Sequence, residues 1–347
     1  MNVIFRADAS PDIGGGHVTR CLTLADALIG QGWVCTFLSA PGSEDTVPAL
    51  KQERYNLARS AIMDLSADVL VVDHYGLDAG FESDCRAWAK KIVVIDDLAD
   101  RPHDCDLLMD QTLGRDPADY KAFVPPRCRI LTGPDYALLR PQFAAARPAA
   151  LARRGRQAGR VGRILVMLST GDRDNVTGLV LAGLERPKGK FVVDVVMGAG
   201  APHLQAVRQQ AGESRHNVIV RAGVGDVAEL MADADLCIGA GGTASWERCC
   251  MGLPTVVIEI ADNQRKIIEG LDKAGAIFKA GWHRDLTAEI IAGHVQVLID
   301  NPARIVAMGV VAATICEGKG AELLAAQIGN LLKNDGLENT AALSSRK

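Results

Sequence analysis

Short apolar runs alternate with amphipathic stretches along the first part of the chain. The runs lie at residues 3–5, 34–38, 69–72, 92–95, 107–109 and 130–131. Between them, apolar residues recur at helical spacing, as at Val18, Leu22 and Ala25. Strands that alternate with helices predict a parallel, doubly wound sheet.

The alternation stops at residues 140–163 and then resumes. This stretch is rich in arginine, alanine and glycine, which favours an interdomain linker or an exposed loop. A second series of apolar runs lies at residues 164–168, 191–197, 218–220, 236–238 and 255–258. Two further helical patterns, at residues 286–299 and 321–332, close the fold.

The whole pattern predicts an α/β protein of two Rossmann-like domains, each a doubly wound parallel sheet, which face each other across a cleft. We expect an N-terminal domain at residues 1–145, a basic linker at 146–163, a C-terminal domain at 164–334 and a mobile polar tail at 335–347. A ligand is expected in the cleft, at the carboxyl ends of the strands.

Composition narrows the classes of partner. Of the 347 residues, 48% are hydrophobic and 35 are glycine, which suits an α/β protein with many strand-to-helix turns. A formal net charge of -4 argues against nucleic acid as the main partner, because proteins that bind it usually carry a basic face. No apolar stretch reaches the roughly 18 residues of a membrane span, and the N-terminus lacks a signal pattern. We expect a cytoplasmic protein without a membrane partner, and the sequence specifies no oligomeric state.

The nine cysteines are scattered along the chain. Most lie in apolar patterns, so we expect reduced core residues. Cys249 and Cys250 are adjacent but have no second pair at zinc-ligand spacing, and we therefore expect no metal site.

A glycine-rich turn follows the first predicted strand. Gly14, Gly15 and Gly16 let the backbone approach a ligand closely, and the helix that follows offers unpaired N–H groups and a partial positive charge to a phosphate. His17 lies at the mouth of this turn, where the positive helix end favours the neutral imidazole that takes a proton from water. The alternative is a structural histidine that caps the helix beside an ordinary tight turn.

A second glycine-rich turn contains Gly241, Gly242 and Thr243 and follows the strand predicted at residues 236–238. Each half thus offers a turn of the kind that binds phosphate, which suits a diphosphate held between domains. Glu247 lies in the next helix, where its carboxylate either accepts hydrogen bonds from a ribose diol or stabilises the helix start. Neither glycine turn matches a dinucleotide fingerprint or contains a Walker lysine, so we expect no nicotinamide cofactor and no ATP hydrolysis.

Polar residues follow other predicted strands as well. Tyr75 is a candidate for a substrate contact through its hydroxyl, while Asp73 either orients His74 or caps the next helix. Asp96 and Asp97 end another strand and either bind a metal or cap a turn.

In the second half, residues 169–172 and Asn175 either bind pyrophosphate or sugar, or cap a helix. The amides of Asn263 and Gln264 are expected to face the cleft. Capping explains the preceding Asp262, but it explains Gln264 less well.

Taken together, these segments resemble the UDP-2,4-diacetamido-2,4,6-trideoxy-β-L-altropyranose hydrolases of pseudaminic acid biosynthesis, a family of the GT-B superfamily. The likeness covers most of residues 1–330. Its elements are residues 5–8 with 14–17, 73–76, 95–99, 133–140, 241–243 with 246–248, and 263–264. The chain departs from the family pattern in having three successive glycines in the first turn and Ser169-Thr170-Gly171 where paired glycines are more usual.

The resemblance implies a GT-B fold and hydrolysis of a UDP-sugar by an activated water, with cleavage between the anomeric carbon and the phosphate oxygen and without a metal or other cofactor. It implies that His17 is the general base, that Glu247 holds the uridine ribose and that the turn at Gly241 holds the pyrophosphate. The full set of candidate substrate-binding residues is Arg6, Gly14, Gly15, Gly16, Tyr75, Gly241, Gly242, Thr243, Glu247, Asn263 and Gln264.

Two other functions fit the same residues. An inverting glycosyltransferase of the same superfamily would use similar UDP contacts but transfer the sugar to an acceptor other than water. A noncatalytic UDP-sugar-binding protein would not need His17 at the turn. Release of UDP in the absence of an acceptor distinguishes the hydrolase from both.

Overall fold

The computed structural model describes residues 1–10, 13–58 and 66–344, with side chains described as far as residue 333. The chain divides into two compact units. The first comprises Met1–Arg140 together with the C-terminal segment that begins at Lys319, and the second comprises Pro141–Gly318.

The first unit is an α/β unit. Its described strands are β1 (Asn2–Ala7), β2 (Val34–Leu38), β3 (Asn56–Ala58), β4 (Ala67–Asp73), β5 (Ala89–Ile95), β6 (Leu107–Asp110) and β7 (Arg129–Thr132). Its described helices are α1 (Gly16–Ile29), α2 (Ser43–Thr46), α3 (Ala79–Cys85) and the last helix of the chain, α12 (Gly320–Ser344). The strands form one parallel sheet in the order β3-β2-β1-β4-β5-β6-β7. Strand order reverses between β1 and β4, which makes their carboxyl ends a switch point of the sheet.

Helix α12 belongs to the first unit, whereas the sequence pattern places it in the C-terminal domain. Its residues Leu324, Ala325 and Ile328 are fully buried in the core that α1 forms with the sheet. Helices α1 and α12 pack together through apolar faces although they are far apart in the sequence. The local spacing of apolar residues does not predict this contact. The helix also extends to Ser344, so the segment predicted as a polar tail from residue 335 is helical as far as that residue.

The second unit has the same architecture. Its strands are β8 (Arg163–Met167), β9 (Val192–Met197), β10 (Asn217–Ala222), β11 (Leu236–Ala240), β12 (Thr255–Glu259) and β13 (Phe278–Trp282). Its helices are α4 (Pro141–Gln157), α5 (Val176–Leu184), α6 (Leu204–Glu213), α7 (Ala228–Asp233), α8 (Ala244–Cys250), α9 (Arg265–Lys273), α10 (Ala288–Ile299) and α11 (Pro302–Ile315). The sheet is parallel in the order β10-β9-β8-β11-β12-β13, with its switch point between β8 and β11.

The basic stretch predicted as a linker is helical over most of its length. Helix α4 occupies Pro141–Gln157 and belongs wholly to the second unit, so the boundary lies at Arg140 rather than at residue 145. Its arginines satisfy backbone carbonyls: Arg147 donates to the Cys316 and Ala313 oxygens at 3.1 and 2.6 Å, and Arg154 to the Met231 oxygen at 2.5 Å. These basic side chains hold helix ends in place instead of making a solvated linker.

Two strands escape the sequence pattern. β3 has three residues and β13 is only half-buried, and both lie at sheet edges, where the apolar signal is weakest.

All nine cysteines are free and all except Cys128 are buried. Among the described residues no single helix has the length and apolar character of a membrane span, while one pair bent by 90° passes on length and composition alone.

Candidate functional site

The switch point of the first unit gathers polar side chains from two strands and one helix. β1 and β4 are paired in register so that Ala7 lies opposite Asp73, the last residue of β4. Helix α1 starts at Gly16, just after the glycine turn, and carries His17 in its first turn. The strand ends and the helix start thus bring His17 to Asp73.

His17 and Asp73 form a hydrogen-bonded pair. Nδ1 of His17 lies 2.5 Å from Oδ1 of Asp73, whose side chain is fully buried. An ionised carboxylate only accepts, so Nδ1 of the imidazole carries a proton, and in the neutral ring the lone pair is therefore on Nε2. Within the described part of the chain no residue is hydrogen-bonded to Nε2, and the His17 side chain remains 10% exposed. This arrangement suits a general base oriented by a carboxylate.

Arg20 keeps Asp73 ionised. Its Nε and Nη2 donate to the two Asp73 oxygens at 2.6 and 2.7 Å, and its Nη1 donates to Asp97 at 3.1 Å. Burial by itself would raise the pKa of Asp73, but the charge of Arg20 and the hydrogen bonds that Arg20 and His17 donate outweigh it and hold this pKa well below its ordinary value. Asp73 therefore accepts from His17, and neither of the roles that the sequence suggested, orienting His74 or capping the next helix, is the one observed. The cap of α3 is Asp78.

Tyr75 packs against the imidazole. Its ring lies edge-on to that of His17, with centroids 4.5 Å apart and an interplanar angle of 86°. Burial raises the pKa of Tyr75, and the nearby Asp97 carboxylate raises it further. The phenol therefore stays protonated, and Tyr75 as a whole residue is 37% exposed, which fits a substrate contact.

His74, by contrast, is committed to structural contacts. Its Nδ1 accepts the Gly76 N–H at 2.9 Å, and its Nε2 lies 3.3 Å from Oδ2 of Asp8. Asp8 also forms an ion pair with Arg6. Burial lowers the pKa of His74 and the charge of Arg6 lowers it further, so its neutral form dominates at neutral pH. Arg6, a predicted substrate contact, thus lies at the same sheet edge with a carboxylate partner.

The first glycine turn has room for a ligand at two of its three positions. A Cβ built on Gly14 or Gly16 would meet no atom of the described residues within 4 Å, whereas one on Gly15 would lie 2.7 Å from Cγ2 of Val47. Gly14 has φ +76°, which L residues rarely adopt. The turn is open at the residue that starts α1, as close approach of a ligand requires.

Asp96 and Asp97 take different structural roles. Asp96 accepts the Ala99 N–H at 2.9 Å and the Tyr120 hydroxyl at 2.8 Å, and it pairs with Arg101. It therefore fixes the turn after β5, as capping predicts. Asp97 instead accepts a hydrogen bond from Nη1 of Arg20, which also binds Asp73.

The glycine turn of the second unit lies directly after β11. Gln264, in the 3₁₀ turn that follows β12, contacts this glycine turn, because its Oε1 accepts the N–H groups of Gly241 and Ile260, both at 3.2 Å. A Cβ on Gly241 would lie 2.4 Å from Cγ1 of Ile268, while one on Gly242 would find its nearest neighbour at 4.0 Å. Gly241 is therefore required by packing, and Gly242 is open to a ligand.

The other predicted contacts of this unit surround the turn. Thr243 is exposed and precedes α8. Glu247 is half-buried in the first turn of α8, a position that fits both roles proposed from the sequence. Asn263 is exposed in the short 3₁₀ turn after β12. The amide oxygen of Gln264 instead accepts hydrogen bonds from backbone N–H groups.

The loop after β8 is a capped helix start. The carboxylate of Asp172 accepts the N–H groups of Val176 and Thr177 at 2.9 and 3.0 Å, and the Asn175 side chain accepts the Gly178 N–H. Capping thus accounts for Asp172 and Asn175.

A cavity of about 540 Å³ also opens in the second unit, between α4 and α11. Asp235 and Pro254, which line it, immediately precede β11 and β12. The cavity therefore lies at the amino ends of these strands, whereas the turn at residues 241–243 follows a carboxyl end.

Two buried arginines were not singled out as functional from the sequence. Arg20 is one helical turn after His17 on a face otherwise occupied by Cys21, Leu24 and other apolar residues, and a charge in such a face is a detectable signal. Arg248 lies in α8 and is also buried. Its sequence surroundings, between glutamate and cysteine, give no comparable sign.

Comparison with known proteins defines the fold. No family model matches the chain. MurG of Acinetobacter baumannii superimposes with a TM-score of 0.69, at 13% identity, over 95% of this chain and 99% of MurG. Arabidopsis thaliana UGT89C1, solved with UDP, superimposes with a TM-score of 0.60 at 13% identity, covering 94% of this chain and 99% of that one. The predicted GT-B fold of two parallel-sheet α/β units is thereby confirmed.

Three curated relatives resemble the sequence, at 24–32% identity. The UDP-2,4-diacetamido-2,4,6-trideoxy-β-L-altropyranose hydrolase of Campylobacter jejuni is 32% identical over 151 residues, which are 41% of this chain. The match spans about half of that hydrolase, 53% of its length. The spore coat polysaccharide biosynthesis protein SpsG of Bacillus subtilis is 28% identical over 296 residues, covering 81% of this chain and 84% of SpsG.

Proposed function

We propose that the protein is an enzyme that hydrolyses a UDP-linked 2,4-diacetamido-2,4,6-trideoxyhexose to UDP and the free sugar. The observation that carries the proposal is the buried His17–Asp73 pair, which leaves Nε2 of the imidazole as a proton acceptor at the switch point. The partial likeness to the Campylobacter hydrolase and the name of the Bacillus relative support a nucleotide-sugar reaction in polysaccharide biosynthesis.

The reaction follows from these roles. Nε2 of His17 takes a proton from water as the water oxygen attacks the anomeric carbon, and the bond from this carbon to the phosphate oxygen breaks with its electron pair on UDP. Asp73 stabilises the imidazolium that forms. The turn at residues 241–243 binds the diphosphate, and Glu247 binds the ribose. Tyr75 contacts the sugar.

The experiment uses a panel of UDP-diacetamido-trideoxyhexoses without an acceptor, in ¹⁸O-labelled water containing a chelator. The proposal predicts label in the sugar and none in UDP, because the histidine directs water at carbon. It also predicts turnover in the chelator, because the base is a side chain. His17→Gln is expected to lower turnover by about 10²–10⁴-fold, the usual contribution of a general base.

The matched control is His103→Gln. His103 is the other buried histidine of the first unit that pairs with a carboxylate, here Glu82 at 2.7 Å. Its substitution should leave turnover per folded molecule unchanged. Label in UDP, turnover restored only by a divalent ion, or full turnover in His17→Gln would each contradict the mechanism. Release of UDP only when a sugar acceptor is added would identify a glycosyltransferase instead.

A further inference from the structure

The guanidinium of Arg248 lies beneath the glycine turn of the second unit. The residue is 2% exposed. Its Nη2 donates to the Ala240 carbonyl at 2.5 Å and to Ser245 Oγ at 3.0 Å. Its Nη1 is buried and has no hydrogen-bond partner among the described residues. One donor of a buried cation is therefore left unused.

The positive charge of Arg248 also lacks a compensating carboxylate in the part of the chain that the structure describes. Within the described ranges no carboxylate forms an ion pair with it, and its two acceptors are a carbonyl and a hydroxyl. The buried arginine of the first unit, Arg20, is neutralised by both Asp73 and Asp97. Burial of a cation without a counter-charge is strongly unfavourable, so the contrast points to an anion that is supplied from outside.

The backbone places this charge at the carboxyl edge of the sheet. A Cβ on Gly239 of β11 would lie 2.9 Å from Nη1 of Arg248 and 3.0 Å from the carbonyl oxygen of Met167, the last residue of β8. Only a glycine at position 239 leaves room for the guanidinium between these strand ends. β8 and β11 flank the switch point, where open α/β sheets bind their ligands.

We propose that Arg248 is the buried counter-charge for the diphosphate of the nucleotide. The inference rests on the proposed function and adds a positioning residue to it. Nη2 fixes the Ala240 carbonyl, which orients the peptide leading into the turn at residues 241–243. The charge acts through a water-poor interior, where screening is weak, so an anion on the turn is stabilised without a salt bridge at the surface. The ligand class that benefits most is a nucleoside diphosphate, because it carries more negative charge than a monophosphate.

The test is calorimetric binding of UDP, UMP and uridine to the wild-type protein and three variants. Arg248→Met removes the charge and the donors, Arg248→Gln removes the charge but keeps a donor for Ala240, and Arg248→Lys keeps the charge. The first two are expected to weaken UDP binding by about tenfold or more, the fold-change of one charge-assisted contact, with a smaller loss for UMP. Uridine affinity should stay within about twofold, and Arg248→Lys should retain most of the UDP affinity because lysine keeps the positive charge.

Arg154→Met is the control, because Arg154 is another poorly exposed arginine of this unit whose guanidinium caps the Met231 and Ala232 carbonyls. It should leave the ratio of UDP to uridine affinity unchanged. Thermal unfolding establishes that each variant is folded at the assay temperature, and Arg248→Gln serves if Arg248→Met is not.

An equal loss of UDP and uridine affinity in the charge-free variants would show that Arg248 only supports the fold. Unchanged UDP affinity in these variants, or a loss in Arg248→Lys as large as in Arg248→Gln, would also overturn the inference and leave the proposed function intact. Wild-type protein that binds none of the three compounds would refute the proposed function and the inference together.

Discussion

Asp73→Asn separates the catalytic from the structural contribution of a buried carboxylate. Asp73 accepts from Nδ1 of His17 at 2.5 Å and from Nε and Nη2 of Arg20 at 2.6 and 2.7 Å, with no exposed side-chain surface. Asparagine is nearly isosteric but uncharged. In the variant, Asp97 is the remaining carboxylate partner of Arg20. The asparagine amide N–H₂ then faces either His17 or Arg20, both of which donate to Asp73 in the wild type.

Two magnitudes follow. Breaking a buried ion pair from one side costs roughly 3–5 kcal/mol of the free energy of unfolding. If the amide N–H₂ faces His17, Nδ1 must accept, so the imidazole proton moves to Nε2, the atom that has to take a proton from water. The wrong tautomer is expected to lower turnover by about 10⁴-fold, the scale of this change in a serine protease triad.

Glu82→Gln is the matched control. Glu82 is also fully buried and accepts from Nδ1 of His103 at 2.7 Å and from the Asp104 N–H at 2.6 Å. Its loss should likewise lower the free energy of unfolding, but without an effect on turnover per folded molecule. Urea unfolding gives the first quantity, and UDP release divided by the folded fraction from circular dichroism gives the second. Parallel losses of turnover in the two variants, or near-normal turnover in Asp73→Asn, would refute the catalytic role of the pair.

Two further predictions concern pH and the second glycine turn. Folding lowers the pKa values of Asp73 and Asp96. The stability that these groups contribute is therefore present above their unfolded pKa of about 4 and is lost as the pH falls toward the folded values. Urea unfolding at about pH 7, 4 and 3 should show this loss of stability, and the loss should be smaller in Asp73→Asn. Gly242→Ala should weaken UDP binding with little change in the free energy of unfolding, because its Cβ meets no atom of the described residues closer than 4.0 Å. Gly241→Ala should instead destabilise the fold by about 1–3 kcal/mol through its clash with Ile268. Equal UDP affinity in Gly242→Ala and wild type would show that no ligand approaches this turn closely.

The sequence by itself determined the class of the fold, because strand and helix periods are local properties. Apolar runs at residues 3–5, 69–72 and 236–238 lie inside β1, β4 and β11. Both glycine turns follow a strand and precede a helix, as their residue types require. For the same reason His17 was recognisable as a candidate base from its place at a helix start.

Only the tertiary structure decided which residues meet. Asp73 orients His17 rather than His74, because the register of β1 on β4 sets Asp73 beside the start of α1. Partner choice across the sheet depends on strand order, which the local pattern does not encode.

The same limit applies to the unit boundary and to Arg248. Basic residues in α4 resemble a solvated linker until their carbonyl partners are known, and α12 returns to the first unit through a long-range contact with α1. Whether Arg248 has a counter-charge depends on which side chains reach it, and among the described residues no carboxylate does. Such an absence of partners is a property of the packed chain, since a sequence shows which charges are present but not which of them remain without a counter-charge after folding.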